Sequence, residues 1–205
     1  MIELVNALLD VSRIDVGTFS IEPEPVDIIA LAEEALERVR PEMEKKGIKL
    51  DKHLHELPIV NADPRLTRIV FVNLLSNATK YTPKGGRIQF VVKKTERDIW
   101  IKVSDSGVGI PRSQQAKIFT KLFRAENAKR LESVGTGLGL YIVKEVVEKS
   151  GGKIWFQSPA LDLLLENEEK TLSIDKKNLG TTFNITIPLK GMRAKSGTKK
   201  LTSVN

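Results

Sequence analysis

Cysteine is absent from this chain, and histidine and aromatic residues are scarce. None of the 205 residues is cysteine, two are histidine and 5% are aromatic. Without cysteine there is no disulfide and no thiolate metal site, and two histidines are too few for a histidine-rich metal centre. The sequence also lacks a run of about eighteen apolar residues and a charged-then-apolar leader, which argues against a membrane span and a secretory signal. We therefore expect a soluble, cytoplasmic globular chain.

Acidic residues are missing from the C-terminal end, where basic residues accumulate. The formal net charge is +7, and five of those positives lie between Lys190 and Asn205 with no acid among them, which leaves +2 for the rest of the chain. Such a segment predicts a disordered, solvated tail over residues 191–205. Because the remaining body is nearly neutral, no nucleic-acid partner is expected.

The stretch NLLSNATKYTPKGG, residues 73–86, carries the most specific chemistry. At roughly 100° per residue, Asn73, Asn77, Lys80 and Tyr81 fall on one helical face while leucines and an alanine point towards a core. A carboxamide oxygen suits Mg²⁺, a lysine suits phosphate charge, and an aromatic ring packs beside a base. The face is either a Mg-nucleotide site or the solvated side of an ordinary amphipathic helix.

Hydrophobic periodicity and turn residues predict an α+β fold with helices on one face of a mixed or antiparallel sheet. Asp27 is expected to cap a helix that Gly47 ends, and Asp63 to open the helix that carries the asparagines. Between Ala125 and Gly137 there is little apolar periodicity, which predicts a long mobile loop. The predicted helices cover residues 1–15, 28–46, 64–81, 114–123 and 138–150, and the predicted strands cover residues 48–54, 87–94, 99–105, 153–157 and 182–189. Residues 19–27 are predicted to form a short strand followed by an extended linker.

Two glycine patterns follow the predicted helix 64–81 in the sequence. Asp105-x-Gly107-x-Gly109 comes after a predicted strand, where the carboxylate can accept a hydrogen bond from an exocyclic amine and glycines let the backbone approach a flat ring. The segment 135–139, GTGLG, opens a predicted helix, so its backbone N–H groups are placed to hold phosphate. Taken singly, the first is equally a tight turn and the second a flexible hinge.

Together, in this order, the motifs NLLSNATKYTPKGG, DSGVGIP, IFTKLFRAEN, GTGLGLYIVKEVVEKSGGKIWFQS and GTTFNITIPL resemble the catalytic ATP-binding domain of a sensor histidine kinase. The resemblance covers about residues 26–189. It implies the GHKL ATPase fold, a two-layer α/β sandwich with a mobile ATP lid, and it implies ATP and Mg²⁺ as cofactors.

The resemblance also implies roles for individual residues. It makes Asn77 the Mg²⁺ ligand and Asp105 the acceptor of the adenine amine. Asn73, Lys80 and Arg124 form the implied catalytic set, with Lys80 on phosphate and Arg124 near the γ-phosphate. The other nucleotide-binding residues that it implies are Tyr81, Gly107, Gly109, Ile110, Phe123, Gly135, Thr136, Gly137, Leu138, Gly139, Leu140 and Thr181.

Asn73 bears on the type of reaction. Hydrolytic members of the superfamily resemble this motif with a glutamate at that position, a general base that an amide cannot replace. The resemblance therefore implies phosphoryl transfer to a histidine of a dimerisation domain, and onward to the receiver domain of a response regulator. The parent enzyme is expected to be a homodimeric histidine kinase, and the chain alone is expected to be monomeric.

The chain departs from a complete kinase in two places. His53 and His55 lack the neighbours of the family's phosphoacceptor box, so the acceptor is expected on a separate domain and the chain is expected to be the cytosolic portion of a longer, membrane-anchored kinase. Residues 1–20 resemble the end of the dimerisation hairpin, which leaves 21–190 as the catalytic domain. Residues 159–179 are an apparent insertion in a hairpin.

Two other functions remain open from the sequence alone. One is an ATP-dependent conformational clamp of the same superfamily, which Asn73 disfavours. The other is a degenerate kinase that binds a partner without catalysis, which the intact motifs disfavour. ATP turnover without an acceptor would favour the first, and failure to bind nucleotide would favour the second.

Overall fold

A computed structural model describes residues 2–131, 135–160 and 180–202. The elements follow one another along the chain as α1 (Ile2–Asp15), β1 (Glu24–Val26), α2 (Ile28–Lys46), β2 (Lys49–Leu54), β3 (Val60–Ala62), α3 (Pro64–Tyr81), β4 (Arg87–Lys94), β5 (Asp98–Asp105), a 3-10 helix (Arg112–Lys117), α4 (Glu126–Leu131), α5 (Gly139–Lys149), β6 (Lys153–Gln157) and β7 (Thr181–Pro188). The predicted insertion lies mostly outside the described residues.

The main sheet has five strands in the order β2-β4-β5-β7-β6. β2 and β4 are parallel and the other neighbours are antiparallel, so the sheet is mixed. The register of β5 and β7 places Asp105 opposite Thr181 at one end of the sheet. Asp105 and Thr181 are 76 positions apart in the sequence (181 minus 105). They are nevertheless neighbours at the end of the sheet where β5 stops.

The helices form a second layer. α3 and α5 contact each other and the strands of the sheet, while α2 packs on α3 and α1 on α5. Apolar side chains from both layers meet between them, and the rings of Phe71 and Phe90 pack edge to face with centroids 5.9 Å apart. This is the α+β sandwich that the hydrophobic pattern predicts.

Local sequence signals set the ends of the two central helices. The Asp27 carboxylate accepts hydrogen bonds from the backbone N–H groups of Ile29 and Ala30, and Gly47 ends α2 with a left-handed φ of 61°. Asp63 caps α3 in the same way. These contacts satisfy N–H groups that the helix itself leaves unpaired. They confirm the predicted starts of α2 and α3.

The segment between β5 and α5 differs from the prediction of one helix followed by a loop. A 3-10 helix ends at Lys117, and Leu122 then adopts a left-handed φ of 59°, which no continuous α-helix contains. The Phe119 ring instead packs on the ring of Phe156 with centroids 5.9 Å apart. α4 forms inside the predicted loop, where the Gln114 side chain accepts a hydrogen bond from the backbone N–H of Glu126. Tertiary contacts decide both structures.

The prediction of a disordered tail is wrong for the described residues 191–202, called here the C-terminal segment. Its backbone pairs with residues 18–21, and Leu201 is buried in the core. The Lys195 ammonium donates to the carbonyl oxygens of Gly17 and Phe19 at 2.6 and 2.7 Å. Composition suggested disorder because the partners of this segment lie some 180 residues away and leave no local pattern.

α1 rests on α5 and on the C-terminal segment. Its inner side buries Ala7, Val11 and Ile14, while Leu8 and Leu9 remain exposed. The buried Asp10 carboxylate accepts hydrogen bonds from the backbone N–H and the hydroxyl of Thr202 at 2.7 and 2.8 Å. Among the described residues, no helix has the length and apolar content needed to cross a membrane.

Candidate functional site

A cavity of about 840 Å³ opens between α3, α5, α4 and the end of the sheet where β5 and β7 meet. A volume of this size is typical of sites for small organic ligands. Most residues singled out from the sequence line it: Asn73, Asn77, Lys80, Tyr81, Asp105, Gly109, Ile110, Phe123, Arg124, Gly135, Thr136, Gly137, Gly139, Leu140 and Thr181.

α3 forms one wall of the cavity with the polar face predicted for it. Asn73 is almost fully buried, and its Nδ2 donates to the carbonyl oxygen of Ile69 at 2.8 Å. Asn77 and Lys80 follow one and two turns later, and no hydrogen bond or ion pair engages either side chain within the described structure. The NH₂ group of Asn73 is therefore engaged within α3, whereas the carboxamide of Asn77 and the ammonium of Lys80 are available to a ligand.

Gly139 brings the start of α5 against this wall. A Cβ atom at that position would lie 2.4 Å from Asn73 Oδ1, so any side chain larger than hydrogen would push the carboxamide away. The backbone N–H groups in the first turn of α5 have no side-chain cap of their own from Leu138. They form a positive helix end beside Asn73 and suit an anionic group.

Asp105 is the polar group at the opposite end of the cavity. It is 5% exposed, and its carboxylate accepts hydrogen bonds from the backbone N–H groups of Gly107, at 2.8 Å, and Thr181. Burial raises the pKa of Asp105 to about 7, against the opposing effect of these two hydrogen bonds. A carboxyl group so placed accepts a hydrogen bond from a ligand amine most strongly when it is ionised and more weakly when it is protonated.

Gly107 shapes this end without lining the cavity. A Cβ atom there would lie 2.4 Å from the carbonyl oxygen of Tyr81, at the last residue of α3. The same carbonyl accepts the backbone N–H of Val108 at 3.3 Å. The close approach that glycine allows therefore joins the end of α3 to the loop after β5.

α4 holds that loop from the other side. The Asn127 Nδ2 donates to the carbonyl oxygens of Val108 and Gly109 at 3.0 and 2.9 Å. Ile110, the next residue, donates its backbone N–H to the Ser158 hydroxyl at 2.8 Å. The loop is thus fixed by contacts on both sides, with Gly109 at a positive φ of 65° between them.

The rim of the cavity is made by the segment around Phe123 and Arg124 and the glycine-rich start of α5. Arg124 donates from Nη1 to the carbonyl oxygen of Gly135 at 3.4 Å. Gly137 has a φ of 69°, and a Cβ there would lie 2.7 Å from the carbonyl carbon of Leu122. Both contacts join the segment before residues 132–134 to the segment after them, and those three residues fall outside the described part of the chain.

Leu138 is a predicted nucleotide-binding residue whose side chain lies away from the cavity. Its side chain is 1% exposed in the hydrophobic core and does not line the cavity. Only its backbone takes part at this point, since its N–H donates to the Thr136 hydroxyl at 3.2 Å. The apolar side chain follows the inward face of α5.

Several lining residues were not predicted from the sequence. One group is apolar and lies on the Asp105 side: Val108, Ile118, Ala125, Ala128 and Phe183. A second group lies on the first three helices: Ala7, Arg38, Val39, Val72 and Ser76. Ser76 shares the face of Asn73 at helical spacing and was detectable from the periodicity of α3. The others depend on packing between distant elements, which leaves no mark in a local motif.

Known proteins resemble this chain over most of the residues that form the cavity. A family model for the histidine kinase-, DNA gyrase B-, and HSP90-like ATPases matches residues 62–191. The chain is 36% identical over 162 residues to the circadian input-output histidine kinase CikA of Synechococcus elongatus, a match that covers 77% of this chain and 21% of that protein.

A second relative extends the match towards the N-terminus. The sensor histidine kinase WalK of Bacillus subtilis is 32% identical over 193 residues, which cover 93% of this chain and 29% of WalK. The chain thus spans well under half the length of these two relatives. The solved structure of a mycobacterial sensor histidine kinase, MprB, has a TM-score of 0.66 at 29% identity and covers 82% of this chain and all of that one.

Proposed function

The chain belongs to the histidine kinase-, DNA gyrase B- and HSP90-like ATPase family, and from this premise we propose that it is the nucleotide-binding half of a sensor histidine kinase. It binds Mg-ATP and transfers the γ-phosphoryl group to a histidine on a dimerisation domain. The phosphoryl group then passes to the receiver domain of a response regulator. We place this activity in the cytoplasm, in a parent enzyme that acts as a homodimer.

The observation that carries the proposal is the pairing of two walls across one cavity. The α3 wall offers Asn77 and Lys80, and the far end offers Asp105 in an otherwise apolar setting. An amide oxygen and an ammonium suit a metal-bound polyphosphate, while a carboxylate between apolar side chains suits the edge of a flat base that carries an amine. An adenine nucleotide combines both features in one molecule.

The residues present fit a magnesium ion held mainly by phosphate. Among the described residues, no group of three or more histidine, cysteine, aspartate or glutamate side chains could form a complete protein cage. Mg²⁺ is commonly held by one or two protein ligands together with substrate phosphates and water, which matches the single amide oxygen that Asn77 offers. When bound, it would offset negative charge on the phosphates.

The side chains that line the cavity favour phosphoryl transfer over hydrolysis, because none of those described is placed to act as a general base on water. Of the described lining residues, Asp105 alone carries a carboxylate, and Gly107 and Thr181 already bond to it at the base end. Asn73 stands on the α3 wall with its NH₂ bound to Ile69. An amide does not take a proton from water near neutral pH, so the attacking group has to supply its own lone pair.

An imidazole nitrogen from outside the chain meets that need. As its lone pair forms the N–P bond, the bond between the γ-phosphorus and the bridging oxygen breaks and ADP leaves with the electron pair. Lys80 and Arg124 are the cations on the cavity wall that we assign to the charge that develops on the phosphoryl oxygens. His53 lies exposed on β2, His55 lies exposed just after the end of that strand, and neither lines the cavity.

Mixing this chain with an isolated histidine-bearing hairpin domain of a sensor kinase and γ-labelled ATP tests the proposal. We expect label on the hairpin histidine with the wild-type chain and a strong loss of label with Asn77→Ala, while a histidine-to-alanine hairpin stays unlabelled. Bound ATP without label on any hairpin would contradict transfer. Steady ATP turnover in the absence of a hairpin would instead support a hydrolytic clamp.

A further inference from the structure

One end of the cavity takes no part in the function proposed above. It is formed by Ala7 of α1, by Arg38 and Val39 of α2, and by Val72 and Ser76 of α3. These side chains come from helices, whereas the Asp105 end is built from the ends of β5 and β7 and the loop between β5 and α4. The α3 wall runs between the two ends, with Asn73 and Asn77 on the same helix as Val72 and Ser76.

Arg38 is the charged residue of this helical end. It differs from most of the other charged side chains of α2, which are engaged in ion pairs: Glu33 with Lys52, Glu34 with Arg68, Glu37 with Arg40, and Glu42 with Lys45. Within the described ranges, no hydrogen bond or ion pair holds Arg38. Arg38 lines the cavity and is exposed, so its guanidinium group is available to an anion that binds there.

Glu34 lies one turn before Arg38 on α2, and it does not compete strongly for the guanidinium. Its carboxylate accepts two hydrogen bonds from Arg68, at 2.8 and 2.9 Å. Those hydrogen bonds are the main cause that lowers the pKa of Glu34, and the charge of Arg38 is the smallest. Arg38 is therefore close enough to feel this carboxylate but remains free to bind another anion.

The position of Arg38 along the cavity selects the part of the ligand that it meets. The base belongs beside Asp105, and the phosphate chain belongs beside Asn77 and Lys80 on the α3 wall. Glu34 pairs with Arg68, and Lys46 donates to the carbonyl oxygen of Lys80, so α2 and α3 run side by side in the same direction. Arg38 therefore lies about level with Val72, at the end of the α3 wall away from Asp105. In a nucleotide laid along this line, the terminal phosphoryl group comes closest to Arg38.

We propose that Arg38 is a specificity-determining residue that binds the terminal phosphoryl group and so favours the nucleoside triphosphate over the diphosphate. This inference rests on the proposed nucleotide function of the cavity. A guanidinium group presents two parallel N–H donors to two phosphoryl oxygens, an arrangement that a lysine cannot reproduce. The same preference would favour release of ADP after phosphoryl transfer, because ADP lacks the group that Arg38 binds.

Equilibrium binding of AMPPNP and ADP, each with excess Mg²⁺, separates this contact from the rest of the site. We expect Arg38→Ala to lower the affinity for AMPPNP by about tenfold and to leave that for ADP within about twofold, since one charge-assisted contact to the terminal group is lost. Arg38→Lys should recover part of the AMPPNP affinity. Arg40→Ala is the matched control on the same helix, because Arg40 is exposed and pairs with Glu37.

The outcomes are distinct. An equal loss for both nucleotides, or no loss for either, would overturn the role of Arg38 while the proposed function stands. A wild-type chain that binds neither nucleotide would overturn the proposed function itself and this inference with it. Alanine is well tolerated at an exposed helical position. If thermal melting nevertheless shows that Arg38→Ala does not fold, Arg38→Gln keeps a flexible polar side chain and removes its charge, and the two affinities are then compared for that variant.

Discussion

The α3 wall of the cavity and the C-terminal segment both carry hydroxyls and lysines, but the two regions use their polar groups in opposite ways. Lys80 and Asn77 face the cavity without a hydrogen-bonding partner in the described structure. In the C-terminal segment, the Lys195 ammonium is bound to two carbonyl oxygens and Thr202 donates twice to the buried Asp10. Polar groups left unpaired on a cavity wall serve a ligand, whereas paired ones serve the fold.

This contrast predicts that substitutions in the two regions separate stability from binding. A change in the C-terminal segment should lower the free energy of unfolding and leave nucleotide affinity almost unaltered below the melting temperature. A change at the cavity should alter nucleotide affinity and leave the fold intact. Any residue that moves both quantities strongly would weaken the distinction.

Leu201→Ala should have the largest effect. Leu201 is 2% exposed within the core cluster, so the substitution leaves a cavity and should lower the free energy of unfolding by about 2–4 kcal/mol. Chemical denaturation with a matched Lys199→Ala control measures it, because the side chain of Lys199 is exposed and should contribute less than about 0.5 kcal/mol. Equal stability of the two variants would show that the segment is not packed in solution.

Asp105 should give the next largest effect, and one that depends on pH. Burial raises its folded-state pKa from 3.8 to about 7, so the folded chain retains a proton that the unfolded chain has already lost. The stability that this proton provides is complete below pH 3.8 and disappears as the pH rises through about 7. Between pH 5 and pH 8 the wild type should therefore lose about 2 kcal/mol relative to Asp105→Asn.

Nucleotide binding should show the opposite trend with pH. The proposed hydrogen bond from the adenine amine is strongest to the ionised form of Asp105, so we expect the affinity of the wild type for ADP to fall by up to about tenfold per pH unit below pH 7. Asp105→Asn should bind more weakly at pH 8 and show no such slope. A wild-type affinity that is flat between pH 5.5 and 8 would argue against an ionised carboxylate at the base.

Leu122 should give the smallest effect. It is 64% exposed and is the single non-glycine residue with a positive φ in the part of the chain that the structure describes. Because a left-handed conformation costs an L-residue about 1–2 kcal/mol, Leu122→Gly should raise the free energy of unfolding by about 0.5–1 kcal/mol. Leu9→Gly is the matched control, because Leu9 is an exposed leucine in the interior of α1, and it should lower stability by about 1 kcal/mol. Destabilisation of both variants alike would mean that Leu122 carries no strain.

The sequence predicts the elements that depend on local rules. Asp27 and Asp63 cap their helices, Gly47 ends α2, and the spacing of Asn73, Asn77 and Lys80 places them on one wall. Each of these outcomes follows from contacts within a few residues along the chain. Periodicity and capping chemistry are sufficient for such contacts.

The features that were missed depend on contacts between distant segments. The C-terminal segment looked disordered because its partners are residues 17–21, and Arg38 carries no local signal that it faces a cavity built from three helices. The raised pKa of Asp105 likewise requires knowledge of its burial. Sequence patterns identified the chemistry of the site, whereas its boundaries came from packing.

The most direct test of the nucleotide site is the effect of Mg²⁺ on the affinity for AMPPNP in the wild type, Asn77→Ala and Asp105→Asn. We predict that Mg²⁺ strengthens wild-type binding by about tenfold or more, a free energy of about 1.4 kcal/mol. Asn77→Ala should lose most of this gain, and Asp105→Asn should bind more weakly but keep it. A full Mg²⁺ effect in Asn77→Ala, or none in the wild type, would contradict the assignment of the α3 wall to a magnesium-bound nucleotide.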